Sequence, residues 1–130
     1  MRGSSIKLIY AGALLGVTGV LLGAFGAHGL NASESQADSW AVAVQYQLIH
    51  SLLLLIVALW HHFFSIKALR IAGLAFVVGI LLFSGSIYML VLGGPSVLGP
   101  ITPMGGVALV LGWLCLGVAG YQSRKGSNAK

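Results

Sequence analysis

The chain has 130 residues, of which 58% are hydrophobic and only 7% are charged. Its mean hydropathy is +0.97, and about 25% of the residues of a soluble domain are charged. A soluble fold of this size could not bury so much apolar surface, which excludes a soluble globular protein and predicts a chain embedded in a lipid bilayer. Four spans of about 20 residues fill the length, so we expect an all-α, four-helix transmembrane bundle that forms a single domain over residues 1–130.

The first predicted span covers residues 8–27 and carries a stripe of glycines. These recur at alternating spacings of four and three residues, at Gly12, Gly16, Gly19, Gly23 and Gly26. The repeat places them on one face of a helix, where small residues let a neighbouring helix approach closely in lipid. The basic start and apolar run also allow a cleaved signal peptide, but the run is longer than the usual signal-peptide core and a discarded segment needs no packing stripe.

The first loop, residues 28–40, and the second span, residues 41–60, are unusually polar. Ser33 and Gln36 have capping-box spacing, which allows a short interfacial helix in the loop, and Trp40 suits the lipid headgroup level. The first half of the second span carries the polar side chains Gln45, Tyr46, Gln47, His50 and Ser51. Polar residues at this depth predict contacts inside the bundle.

The third span, residues 71–92, and the fourth span, residues 101–121, repeat the small-residue pattern. In and just before the third span the small residues are Ala68, Ala72, Ala75, Gly79 and Ser86. In the fourth span they are Gly105, Ala108, Gly112, Cys115 and Ala119. We therefore expect small-residue seams between helices on three spans, and a frayed polar tail after residue 121.

The positive charges divide the connections into two groups. All seven Lys and Arg lie in the N-terminus, the second connection (residues 61–70) or the C-terminus: Arg2, Lys7, Lys67, Arg70, Arg124, Lys125 and Lys130. The first and third loops have none, which predicts that both termini are cytoplasmic in the inner membrane of a bacterium. The net charge of +5 does not indicate a nucleic-acid partner, because the basic residues flank apolar spans and do not cover a folded face.

His50 is the sharpest candidate for chemistry. It lies about ten residues into the second span, near the bilayer centre, where ionisable side chains are costly and usually face the bundle interior. An imidazole there could relay protons or anchor a polar ligand. The competing interpretation is a neutral, structural histidine that is hydrogen-bonded to a facing helix.

The other ionisable groups offer less. His28, Glu34 and Asp38 have the ligand types of a metal site, but no spacing supports one, and we favour a His28 that caps or pins the first turn. A haem would need two histidines at one level on facing helices, which the spans do not offer, and His61 and His62 are expected at the headgroup level. No catalytic triad, phosphate-binding glycine loop or metal-ligand spacing is present, so we expect no metal, no cofactor and no enzyme activity.

The polar parts of the second and third spans, with the start of the fourth, are predicted to lie in the outer half of the membrane. With His28 and His50 they form one candidate polar cluster: His28, Tyr46, Gln47, His50, Ser84, Ser86, Tyr88 and Thr102. The cluster could be a small outward-facing pocket, or a set of hydrogen bonds between helices that contribute roughly 0.6 to 2 kcal/mol each. The sequence leaves both interpretations open.

Four motifs resemble a known family. They are GAFGAHGL at 23–30, YQLIH at 46–50, FSGSIY at 83–88 and ITPMGG at 101–106. Together they resemble the small bacterial inner-membrane proteins of the YgdD type, whose eukaryotic relatives are called transmembrane protein 256. That family is a domain of unknown function with four predicted spans, so the resemblance implies a membrane location and an architecture, and no reaction or catalytic residue.

The favoured functional hypothesis is a non-enzymatic membrane protein with a structural or assembly role, because the chain has packing seams and lacks a catalytic constellation. The alternative is a small transporter or proton-linked carrier that uses the polar cluster around His50. An enzyme is the least favoured. The expected partners are the lipid bilayer and, through any seam unused within the chain, a second copy or another membrane protein.

Overall fold

A computed structural model describes residues 2–128, and it is all-helical apart from the connections. Four long helices follow one another: α1 (Gly3–His28), α2 (Glu34–Phe64), α3 (Lys67–Val91) and α4 (Ile101–Asn128), with a 3-10 turn at Ser96–Leu98 before α4. Each long helix is apolar enough and long enough to cross a membrane. The predicted all-α fold with four spans is confirmed.

The helices pack in chain order, so that α2 and α3 form the middle of the bundle. In its most apolar segment α2 has 44% of its residues buried, against 11% for α1 and 17% for α4. Helix α1 reaches α3 near the start of both helices, where Leu8 packs on Gly73. Because α1 and α4 bury so little of their surface within the chain, most of their side chains face the surroundings of the bundle.

The glycine stripe of α1 lies against α2, as the repeat predicts. A Cβ added at Gly19 would lie 2.7 Å from Leu48 Cδ2, and one at Gly26 would lie 2.5 Å from Trp40 Cδ1. A Cβ added at Gly12 would also lie close to α2, at 3.0 Å from the carbonyl oxygen of Ser51. These three glycines are seven residues apart, so they mark the line of closest approach. The other two are looser, with nearest distances of 3.9 Å at Gly16 and 3.2 Å at Gly23.

A second seam joins α3 to α4. A Cβ at Gly105 would overlap the backbone nitrogen of Phe83, and one at Gly112 would lie 2.5 Å from the Phe76 ring. On the α3 side, Gly79 accommodates Leu109, whose Cδ2 would lie 2.5 Å from an added Cβ. At Gly105 backbone therefore meets backbone, which is the closest helix approach that small residues permit.

Helix α2 is longer than the predicted second span, because it starts in the predicted loop. The Ser33 hydroxyl accepts from the Gln36 backbone N–H at 3.2 Å, and the Gln36 side chain accepts from the Ser33 N–H at 3.1 Å. The capping box is thus present, but it begins α2 itself and not a separate interfacial helix. At the other end α2 continues to Phe64, and the predicted connection over 61–70 shrinks to Ser65 and Ile66.

One local prediction, that of a frayed tail, was wrong, and one side chain makes a contact that the sequence did not predict. Trp40 is 2% exposed and fills the gap at Gly26, where its indole N–H donates to the Leu22 carbonyl at 2.8 Å. The polar tail after residue 121 is helical as far as Asn128, because Gln, Arg and Lys are good helix formers that extend α4. The last part of that tail, including the charge of Lys130, lies outside the described residues.

Candidate functional site

Gln47 is the side chain that joins the most helices. It is 3% exposed and packs against Gly19. Its amide nitrogen donates to the Leu15 carbonyl and to the Thr18 hydroxyl, both at 2.9 Å. Because a carbonyl only accepts, the nitrogen must face α1, and the amide oxygen is left to accept from the Tyr88 hydroxyl at 2.7 Å. One side chain of α2 is therefore bonded to both α1 and α3.

Thr18 completes this contact and was not singled out from the sequence. Its hydroxyl donates to the carbonyls of Leu14 (3.0 Å) and Leu15 (3.2 Å), so its oxygen is free to accept from Gln47. Thr18 is the only Ser or Thr in residues 8–27. A single hydroxyl in an otherwise apolar span could have indicated a contact between helices, because hydroxyl side chains in lipid-embedded helices often form hydrogen bonds to a neighbouring helix.

His50 has a partner at each ring nitrogen. Nδ1 lies 2.7 Å from the Tyr46 carbonyl, and Nε2 lies 3.1 Å from the indole nitrogen of Trp113 on α4. A carbonyl only accepts and an indole only donates, so Nδ1 carries the hydrogen and Nε2 accepts. The ring is 4% exposed and packs 5.4 Å from the Phe76 ring, centroid to centroid. The contacts define a neutral imidazole with one tautomer, which bridges α2 and α4.

Trp113 is the second partner that the sequence analysis missed. It lies in the middle of α4 and is 49% exposed. A tryptophan at that depth signals a need for an acceptor, because its indole N–H has no water to bond in the hydrocarbon region. Which acceptor it finds depends on how α4 packs against the rest of the bundle, and spacing within one helix does not give that.

Two serines of α3 make further contacts between helices. Ser84 donates to the Ala43 carbonyl of α2 at 2.7 Å. Ser86 donates to the Phe83 carbonyl at 3.0 Å and lies 2.5 Å from the Thr102 hydroxyl of α4, which then acts as the donor of that pair. Ser84 is 1% exposed and Ser86 is 3% exposed, so both bonds lie in the interior.

The structure places the predicted cluster residues in several separate contacts. Gln47 and Tyr88 form one, Tyr46 and His50 another, and the two serine contacts are distinct from both. Tyr46 is 41% exposed and stacks on the His50 ring, with 5.9 Å between centroids. His28 is the last residue of α1 and is exposed, at the end of the bundle.

A groove lies beside His50 on the surface between α2 and α4. Its volume is about 600 Å³, and its walls include Tyr46, Phe83, Val110 and Trp113. The walls are mainly apolar, and both nitrogens of the His50 ring are occupied by their protein partners. The groove could therefore hold an apolar group, but His50 has no free hydrogen-bond donor or acceptor to offer a ligand there.

Metal binding finds no support in the geometry. Across residues 2–128, no three His, Cys, Asp or Glu side chains come close enough together to hold an ion. His28, Glu34 and Asp38 therefore do not form a ligand set. Cys115 is half-buried in α4, where it fits the small-residue face of that helix.

Sequence comparisons place the chain among bacterial membrane proteins. A family described as "Protein of unknown function (DUF423)" matches residues 22–106, a range that contains all four motifs quoted above. The chain is 43% identical over 116 residues to the UPF0382 membrane protein SAB0533 of Staphylococcus aureus, which covers 88% of this chain and 94% of that protein. It is 42% identical over 114 residues to the UPF0382 membrane protein YwdK of Bacillus subtilis, covering 85% and 93% of the two chains.

A third relative, from another bacterium, shows a similar identity. The UPF0382 membrane protein of Haemophilus influenzae is 40% identical over 114 residues, which cover 86% of this chain and 91% of that protein. No solved structure matches the chain. The resemblance predicted from the motifs is confirmed, and the chain belongs to the DUF423, or UPF0382, family of small membrane proteins of unknown function.

Proposed function

We propose that this chain is a non-enzymatic protein of the bacterial inner membrane with a structural or assembly role. The observation that carries the proposal is the use of the interior polar side chains. Gln47, His50, Ser84 and Ser86 are each at most 4% exposed, and each is hydrogen-bonded to another helix. Groups that are fully engaged in holding helices together are not available to a substrate.

The position of unpaired polar atoms supports the same interpretation. Within residues 2–128, the buried side-chain atoms without a hydrogen-bond partner are His62 Nδ1 and Ser123 Oγ. His62 lies in the last turn of α2, and Ser123 lies five residues before the end of α4. A buried site for a polar substrate would instead be expected to leave donors or acceptors unpaired at mid-membrane.

The proposed role needs a partner, and the outer faces of α1 and α4 supply the surface for one. Large apolar side chains stand along both faces, such as Leu14 (65% exposed) and Val20 (62% exposed) on α1, and Val107 (60% exposed) and Leu114 (61% exposed) on α4. Lipid covers these faces in a monomer. A second copy of the chain or another membrane protein would cover part of them in an assembly.

The alternative is a small proton-linked carrier that uses the polar cluster around His50. Vesicles that contain the purified protein would be given a membrane potential and an internal pH dye, with empty vesicles as the baseline. The proposed role predicts no flux above that baseline. A protein-dependent proton flux that disappears in His50→Gln, while the thermal midpoint of the variant is retained, would overturn it in favour of the carrier.

The assembly role has a separate test. Particles extracted from native membranes with their surrounding lipid are expected to be heavier than one chain plus lipid, and two differently tagged copies or one stoichiometric partner should account for the added mass. Particles that contain a single chain at native expression levels would contradict an assembly role.

Both termini are proposed to face the cytoplasm, because the basic residues of the helix ends lie together and both acids lie at the start of α2. In a Cys115→Ser background, single cysteines at Ser35 and Ser127, both exposed, would be labelled in intact cells with a membrane-impermeant thiol reagent. We expect labelling at position 35 and none at 127 until the cells are opened. The reverse pattern would contradict the orientation.

A further inference from the structure

A groove between α1 and α3 combines a basic rim with an apolar wall. Its volume is about 510 Å³. The rim carries Lys7, Lys67 and Arg70, together with Ser4. The rest of the lining is apolar and consists of Leu8, Ala11, Ile71, Leu74 and Val77.

The groove runs along the direction that a lipid chain takes in a membrane. Lys67 lies in the first turn of α3 and Val77 lies ten residues further along the helix. At the α-helical rise, that separation is about 15 Å, or roughly half the hydrocarbon thickness of a bilayer. A charged group at the rim and a hydrocarbon chain below it would match both parts of the groove.

Within residues 2–128, no side-chain carboxylate lies at the rim to balance its positive charge. The only acids of the chain are Glu34 and Asp38, and both lie near the start of α2, at the opposite end of the bundle. The start of α3 lies instead next to the end of α2, two residues along the chain. The rim therefore complements an anion.

The helix ends add to this complementarity. Helices α1 and α3 both begin at the rim, and in the part of the chain that the structure describes neither has a side-chain cap or an acid in its first turn. Their first backbone N–H groups and the positive ends of their dipoles add to the field of the basic side chains. Cations beside helix N-termini are unfavourable in the bare protein, and a bound anion would relieve this repulsion.

We propose that this groove binds one anionic phospholipid, with its phosphate between Lys7, Lys67 and Arg70 and one acyl chain along the apolar wall. A basic pocket between transmembrane helices on the cytoplasmic side is a known type of lipid headgroup site. The apolar wall selects a lipid over a small soluble anion, since only a lipid has a chain to fill it. The site is independent of the proposed structural or assembly role.

The test compares two pairs of charge removals at the same end of the bundle. Native mass spectrometry and thermal shift would measure the binding of phosphatidylglycerol and of phosphatidylcholine, added to delipidated protein in neutral detergent. Each basic residue near a membrane surface contributes about fivefold to the affinity for anionic lipid. Lys67→Gln/Arg70→Gln is therefore expected to weaken phosphatidylglycerol binding about 25-fold.

The matched control is Arg124→Gln/Lys125→Gln, which removes the same charge from the exposed end of α4, outside the groove. It should leave the affinity for phosphatidylglycerol within about twofold of the parent protein. Equal losses in both double variants, or equal affinities of the parent for the two lipids, would overturn the proposal. So would competition by millimolar inorganic phosphate, because a soluble anion would then be the occupant.

A single variant covers the case in which the double variant fails to fold. Lys7 is exposed and lies on the opposite wall of the groove, on α1. Lys7→Gln should lower the affinity for phosphatidylglycerol about fivefold. An unchanged affinity would overturn the proposal.

Discussion

Replacing Gly105 by Ala tests the tightest of the glycine contacts between helices in residues 2–128. The added Cβ would overlap the backbone nitrogen of Phe83 and would lie 2.7 Å from the carbonyl carbon of Leu82. These are backbone atoms, which cannot rotate away as a side chain can. To bring the second distance to an ordinary contact of 3.4 Å, α3 and α4 must separate locally by at least about 0.7 Å, and the overlap with the Phe83 nitrogen requires more.

The cost follows from the contacts that this separation weakens. A radial gap of 0.5–1 Å removes about a quarter to a half of the dispersion energy of each affected contact. The same seam holds Phe76 against Gly112 and Leu109 against Gly79, so the loss would extend along both helices. Forcing one extra carbon into a well-packed site typically costs about 1–3 kcal/mol.

The matched control is Gly117→Ala on the same helix, where an added Cβ meets no atom within 4 Å. Both changes gain about 1 kcal/mol of helix propensity, so the difference between them isolates the contact. In detergent, with unfolding followed by circular dichroism, Gly105→Ala should be about 1–3 kcal/mol less stable than Gly117→Ala. Stabilities that agree within about 0.5 kcal/mol would refute the seam.

Two further substitutions test polar contacts. Gln47→Leu removes hydrogen bonds to α1 and α3 and should lower the free energy of unfolding by about 2 kcal/mol. The control Gln45→Leu, at an exposed position, should have little effect. Equal effects of the two variants in the same assay would contradict the role of Gln47. Ser33→Ala removes the capping hydroxyl of α2 and should cost about 1 kcal/mol. The control is Ser35→Ala, at an exposed position. If Ser35→Ala lowers the free energy of unfolding as much as Ser33→Ala does, the capping box is contradicted.

Periodicity predicted the seams well because it is a property of a single helix. The five glycines of α1 share a face whatever the partner is, and that face does lie against α2. Periodicity does not say how far one helix is shifted along the other. That shift decides that Gly19 stands opposite Gln47 and Leu48, and Gly26 opposite Trp40.

The same limit explains why the contact of Trp40 and the division of the polar cluster were not predicted. Trp40 follows a polar loop, a position typical of the membrane surface, and its contact with Gly26 and the carbonyl of Leu22 depends on how α2 is shifted along α1. Gln47 and His50 lie within one turn of α2, yet their side chains bond different helices. Side chains three residues apart share one general face of a helix but are still offset by about 60° around its axis, which is enough for them to reach different neighbouring helices, so closeness in sequence did not imply one site.

The central claim is that the interior polar side chains hold helices together and are not part of a transport path. Nitrogen NMR of the His50 ring in lipid bilayers at neutral pH tests this most directly, with His50→Gln used to assign its signals. The claim predicts a neutral ring protonated at Nδ1, whose Nε2 shift responds to Trp113→Phe because the indole N–H donates to it. A ring protonated at Nε2, or one whose ring hydrogen exchanges rapidly with water, would contradict the claim.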